Sequence, residues 1–350
     1  MRRVSFHKGW RLNAVLVSMV SALAVVVIMF AGCSKPKLQY YELSGRLHTP
    51  YSIKYESAEI LDEEINAQFK YFYNLFNAFD STSVISQVNR NEEVRVDTLF
   101  QKVFLKAMEV AALTDGAYDV TCAPLINLWG FGFSRKDSVT PEHIDSVRQF
   151  VGYKKVRLEG DRIIKDDPRL IMNFSSLADG TVCDMIARQL EKKGVTNYLV
   201  EFGGEMRVKG VNPDGKNWRL GITKPTDDAT GITQEIEQVV SFPAPVGMAT
   251  SGNYRNFYIK DGRKYAHTID PREGCPVQRD ILSATIVAPD GMTADAFATA
   301  FMVLGSEEAK RLYSKVPGLE YFILCTDSVG EGHHAEYSEG FRQFLVEKKQ

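Results

Sequence analysis

Cysteine is scarce. The five in 350 residues, at Cys33, Cys122, Cys183, Cys275 and Cys325, form no CxxC pair. That spacing speaks against a zinc ribbon or a disulfide framework, and leaves the last four as expected small buried hydrophobes. Neither GxxxxGK[ST] nor GxGxxG occurs, so the two common nucleotide-binding fingerprints are missing. Basic excess is missing too. The 42 Lys+Arg meet 44 Asp+Glu, for a net charge of −2, which argues against a nucleic-acid partner. No low-complexity tract or internal repeat is evident. With 44% hydrophobic and 11% aromatic residues, the composition excludes a disordered or fibrous chain.

One long hydrophobic run exists, and it stands at the N-terminus. Arg2, Arg3, Lys8 and Arg11 precede LNAVLVSMVSALAVVVIMFAG. A basic start followed by an apolar stretch reads as an export signal. The run is also long enough to span a bilayer as an uncleaved anchor. Phe30-Ala31-Gly32-Cys33 resembles a bacterial lipobox, with Phe30 where Leu is usual. The expectation is therefore a signal peptide over 1–32, a lipid on Cys33, a tether over 33–43 and one domain over 44–350. Loss of the first 32 residues leaves 318. Loss of their four basic side chains moves the net charge from −2 to −6. Such a chain is exported and held on the periplasmic side of a bacterial membrane by acyl chains.

Beyond the tether, Tyr51 to Glu56 alternates like a strand. Leu61, Ile65, Phe69, Phe72, Phe76 and Phe79 make one apolar helical stripe. Leu99 to Ala111 forms a second helix, stopped by Asp115-Gly116. Thr140-Pro141 opens a third, with Thr as cap. Strands are predicted over 155–158, 161–165, 170–174, 198–202, 218–222, 257–259, 282–288 and 321–325. Further helices are predicted from about Gly180 to Gly194, and from Ala294 to Leu304 under a Thr293 cap. His333-His334 reads as a surface loop without a role. Strands interrupted by single helices, without regular βαβ alternation, indicate an α+β fold with mixed or antiparallel sheets.

Asp295 and Thr299 stand four apart on a predicted helix, so both oxygens face one side. A carboxylate and a hydroxyl are hard donors suited to Mg²⁺, which keeps other positions for water and phosphate. The neighbouring helix N-terminus favours anions, and so a cation carrying phosphate. The spacing alone favours the plainer reading, a solvated Asp and a Thr bonded back to its own helix.

Five ordered segments carry a resemblance. GAYDVTCAPLINLWGFG, VEFGGEMRVKG, ATSGNYRNFY, HTIDPREGCPV and TADAFATAFMVLG are similar to the ApbE family, the FAD:protein FMN transferases, from about Ser44 onward. The resemblance implies a two-lobed, T-fold-related α+β architecture. It implies that FAD and Mg²⁺ bind, that a Ser or Thr hydroxyl of a target protein attacks the FMN-side phosphorus, and that AMP leaves. The implied acceptors are subunits of membrane redox complexes or secreted flavin reductases. The alternatives left open are a Mg²⁺-dependent FAD pyrophosphatase and a non-catalytic FAD-binding lipoprotein.

The resemblance also assigns residues. Asp295, Thr299 and the Ala178 carbonyl match the metal site. Leu47, Phe79, Ala117, Tyr118, Asp119, Ser175, Thr181 and Ile269 match flavin-dinucleotide contacts. His267 matches a histidine near the transferring phosphate, as acid/base or as phosphate donor, with Asp295 the other group at the reacting centre. Asp179 departs from the family's frequent Lys and exchanges a positive phosphate contact for a negative group.

Overall fold

The computed structural model describes residues 37–132, 139–226, 235–254, 256–260, 262–327 and 332–347. The expected signal segment, lipobox and Cys33 lie outside the described residues. The chain divides into two compact units, Met1–Gln39 and Tyr40–Gln350, and the second carries the fold.

Eight strands form its main sheet: β1 (Gln39–Arg46), β2 (Pro50–Ser57), β3 (Tyr198–Phe202), β4 (Glu205–Lys209), β5 (Val246–Gly252), β6 (Ile281–Ala288), β7 (Glu320–Thr326) and β8 (His333–Tyr337). They lie in the sheet in chain order. From β2 to β8 every neighbouring pair is antiparallel. Among the helices that accompany them are α1 (Asp62–Phe76), α2 (Thr98–Leu113), α3 (Ser175–Lys192), α4 (Gly291–Leu304) and α5 (Ser306–Tyr313). The α+β expectation holds.

Strand alternation builds a core on each face of the sheet. Ala249, Ile286 and Ile323 join the large core with α1, α2, α3 and α4. Their chain neighbours Met248, Val287, Phe322 and Leu324 join a second core, with Trp218, Phe242, Phe341 and Phe344. The expected lobes are thus two cores sharing one sheet.

Several local expectations change. Strand β1 begins at Gln39, within the 33–43 segment expected as a tether. Tyr41 stacks on Tyr55 at 5.6 Å, and the Tyr40 hydroxyl donates to the Val211 carbonyl at 2.7 Å. Residues 170–174 join no strand ladder. The Asn89 side chain takes up both polar groups of the Met172 backbone, donating to its carbonyl and accepting from its amide, each at 2.9 Å. The helix expected from Gly180 starts at Ser175, whose amide donates to Asn173 Oδ1 at 2.7 Å. The cap of α4 is Asp290 and not Thr293, and Asp290 Oδ1 accepts from the Thr293 amide at 2.8 Å. His333-His334 is strand β8 and not a loop. The helix under Thr140 is as expected, Pro141–Arg148, with the Thr140 side chain accepting from the His143 amide.

Candidate active site

Two glycines let α3 and α4 touch. A Cβ at Gly180 would stand 2.2 Å from the Gly291 carbonyl oxygen and 2.9 Å from Asp295 Cβ, so only glycine fits this crossing. The contact delivers the Gly180 amide to Asp295 Oδ2, at 3.1 Å. It also brings Asp184 of α3 to the start of α4, where its two oxygens accept from the Gly291 and Met292 amides at 2.9 and 3.0 Å. Asp290 takes the next amide, of Thr293. The first amides of α4 are therefore occupied by protein carboxylates. The anion-receiving N-terminus expected beside Asp295 is already filled by Asp184 and Asp290.

Asp295 and Thr299 do share one face of α4, and both line a cavity of about 630 Å³. The Thr299 hydroxyl lies 3.4 Å from the Ser251 hydroxyl of β5. Two more carboxylates converge on this wall. Gly203, at φ +72°, turns the chain between β3 and β4. A Cβ there would meet Asp179 Oδ2 at 2.4 Å and Glu205 Oε2 at 3.1 Å, so the two acids flank one point. Burial, and then the negative charge of Asp179, push the Asp295 carboxyl up to about 8. Burial, followed by Asp295 and Asp179, raises Glu205 well above the usual carboxylate range. Like charges concentrated away from water cost free energy unless protons or a cation neutralise them. Carboxylates beside the hydroxyls of Thr299 and Ser251 form an all-oxygen set, the donor chemistry of Mg²⁺. The residues present fit that ion.

Across the cavity, His267 follows the hairpin Phe257–Lys260/Arg263–Ala266. Its Nδ1 lies 3.2 Å from the Asn256 carbonyl oxygen. A carbonyl only accepts, so Nδ1 carries the proton and Nε2 keeps its lone pair in the neutral ring. Desolvation lowers the His267 pKa, which favours that neutral form.

The cavity wall also includes Ala117, Tyr118, Asp119, Ser175 and Ile269. Tyr118 is buried and accepts from the Ser176 hydroxyl at 3.0 Å. The oxygens of Asp119 are committed to donors of the protein itself. Oδ1 accepts from the Thr121 amide and hydroxyl at 2.8 and 2.7 Å, and Oδ2 from the Tyr153 amide at 2.6 Å. A second cavity, of about 710 Å³, meets the first at Asn173, Ser175 and Asp179, and is lined by Leu47, Phe79 and Ala178. Phe79 is 85% exposed, because α1 ends at Phe76 and the last member of the aromatic stripe falls past it. Thr181 reaches neither cavity. It is buried in α3, and its hydroxyl donates to the Leu177 carbonyl at 2.7 Å.

The sequence reading missed Glu205, Ser251 and His48 as site members. Glu205 and Ser251 lay inside quoted motifs, and only the fold turns them toward Asp295 and Thr299. His48 Nε2 lies 3.3 Å from Asp179 Oδ1, and its Nδ1 meets the Tyr73 hydroxyl. An imidazole ring thus faces Asp179.

The sequence profile of the ApbE family matches residues 47–323. A curated relative named FAD:protein FMN transferase, from Vibrio cholerae, is 35% identical over 91% of this chain and 96% of its own length. Another of that name, from Haemophilus influenzae, is 34% identical over 96% and 99%. Among solved structures, the flavin transferase ApbE from Vibrio cholerae superposes with a TM-score of 0.79, at 34% identity, over 88% of this chain and all of that one. An ApbE protein from Thermotoga maritima gives 0.76 at 29% identity, over the same shares. A profile match across most of the fold, relatives alike over nearly their full length, and a shared structure together establish that the chain belongs to the ApbE family.

Proposed function

We propose that this chain moves FMN from FAD to a Ser or Thr hydroxyl of an acceptor protein, as a phosphoester, with release of AMP and with Mg²⁺ required. The observation that carries this reading is the acidic wall of buried Asp295 with half-buried Asp179 and Glu205 beside Thr299, and Asp179 stands where two cavities meet. A dinucleotide needs two compartments joined at its diphosphate. The acid wall needs a cation, and a diphosphate needs one as well.

Phosphoryl-type transfer depends on alignment and charge neutralisation more than on covalent help from the protein. Asp295 and Thr299, with the Ala178 carbonyl that the family resemblance adds, would hold Mg²⁺, which would supply that neutralisation. The remaining work falls to the chain. Ser175 and Asn173 stand where the cavities join and position the diphosphate. Ala117, Tyr118 and Ile269 wall one compartment, and Leu47 with Phe79 wall the other. His267, neutral and with a free Nε2, takes the proton of the attacking hydroxyl. The new bond joins that oxygen to the FMN-side phosphorus, and the bond to AMP breaks. Asp295 is committed to the cation and is not the proton acceptor.

The expected setting is the periplasmic side of a bacterial membrane. There the chain is held through a lipidated Cys33 and acts on a flavin-carrying subunit of a redox complex or a secreted reductase. The basic-apolar leader and Phe30-Ala31-Gly32-Cys33 support this part.

Incubation with FAD, Mg²⁺ and an acceptor domain, followed by intact mass measurement, tests the reaction. The expected product is an acceptor heavier by FMN less one water, with one AMP per adduct. Free FMN and AMP with an unmodified acceptor would instead establish the pyrophosphatase. FAD left intact would establish a binding protein.

A further inference from the structure

The outer edge of the sheet carries a second group of ligand-type side chains, away from both cavities. In the antiparallel pair of β7 and β8, Cys325 stands directly opposite His334. Glu336 lies two residues beyond His334, so it shares the same face of the strand. The Cys325 sulfur, a His334 ring nitrogen and a Glu336 carboxylate oxygen all lie within 4.8 Å of one another. We propose that Cys325, His334 and Glu336 form a binding site for a thiophilic divalent cation of the Zn²⁺ class.

The surroundings suit that role. Asp327 Oδ1 lies 2.8 Å from His334 Nδ1, and Glu336 Oε1 lies 3.2 Å from Nε2. A carboxylate on one ring nitrogen fixes the ring and leaves the other nitrogen to a metal, the usual support of a ligating histidine. Here Asp327 is the fixing group, and Nε2 faces Glu336.

Lys310, on α5, holds the other oxygen of Glu336 at 2.5 Å and leaves Oε1 available. The Cys325 thiol is buried, and a coordinated metal holds such a sulfur as the thiolate. One thiolate, one imidazole and one carboxylate make three ligands, and His334 is half exposed, so water completes the tetrahedron. Mg²⁺ avoids sulfur, so this site and the acidic wall select different ions.

Co²⁺ titration of the purified protein, read by absorption, tests the proposal. The wild type is expected to show a thiolate-to-cobalt charge-transfer band that saturates at one equivalent and is erased by Zn²⁺. Asp295→Asn keeps the band, which separates this site from the flavin cavity. Cys325→Ser removes it, and His334→Ala on the open side of the strand weakens Co²⁺ binding at least tenfold without unfolding the protein. His334→Ala also leaves FMN transfer unchanged, so failure here is distinct from failure of the transferase reading. No thiolate band in the wild type, a band that survives Cys325→Ser, or unaltered affinity in His334→Ala would each overturn the site.

Discussion

Asp295→Asn is expected to stabilise the metal-free protein while abolishing its response to Mg²⁺. The Asp295 carboxyl rises from 3.8 to about 8 on folding. An acid with a raised folded pKa costs nothing below its unfolded value. The cost grows as pH climbs between the two values and levels off above the folded one. At pH 7 the span above 3.8 is about three pH units, which at 1.36 kcal/mol each gives roughly 4 kcal/mol as an upper figure. Asparagine keeps an oxygen for the Gly180 amide and carries no charge.

A gain of about 2–4 kcal/mol follows. At roughly 1.5 °C per kcal/mol for a unit of this size, that is a Tm higher by about 3–6 °C in chelator at pH 7. The gain should shrink toward pH 4 and reach its full value near pH 8. Mg²⁺ should raise the wild-type Tm and leave the variant untouched. Differential scanning calorimetry in EDTA and in Mg²⁺, at three pH values, measures all of this. A variant less stable than wild type in EDTA, or one that keeps the Mg²⁺ shift, refutes the reasoning about the acidic wall.

Three other perturbations separate the parts of the site. His267→Asn should cut FMN transfer by about 10²–10⁴-fold with FAD affinity retained, measured by single-turnover kinetics and flavin fluorescence. In the wild type, desolvation lowers the His267 pKa, so the base form is lost, and the rate with it, only as pH falls below the ordinary histidine value. Gly180→Ala should cost about 1–3 kcal/mol and weaken Mg²⁺, because its Cβ meets the Gly291 carbonyl and forces α3 off α4, as a denaturant midpoint would record. Phe79→Ala should raise the KM for FAD several-fold with no change in Tm, since that ring is exposed and lines only the second cavity.

The sequence by itself determined the elements whose signal is local. The aromatic stripe of α1, the cap at Thr140, the strand over 198–202 and the α4 register that sets Asp295 under Thr299 depend on neighbours a few residues away, so periodicity and capping chemistry reveal them. Tertiary structure decided what depends on distant partners. The 170–174 segment looked like a strand, but Asn89 took both backbone hydrogen bonds of Met172. Thr181 looked like a ligand contact, but its helix turned it inward to Leu177. The N-terminus of α4 looked open to phosphate, but Asp184 arrived from α3 and filled it. Glu205, Asp179 and Asp295 are separated by tens of residues, and only the glycine crossing and the Gly203 turn bring them together. Composition and spacing record what each segment prefers. Which charges meet out of water is set by packing, because Coulomb and desolvation energies depend on distance in space and burial rather than on distance along the chain.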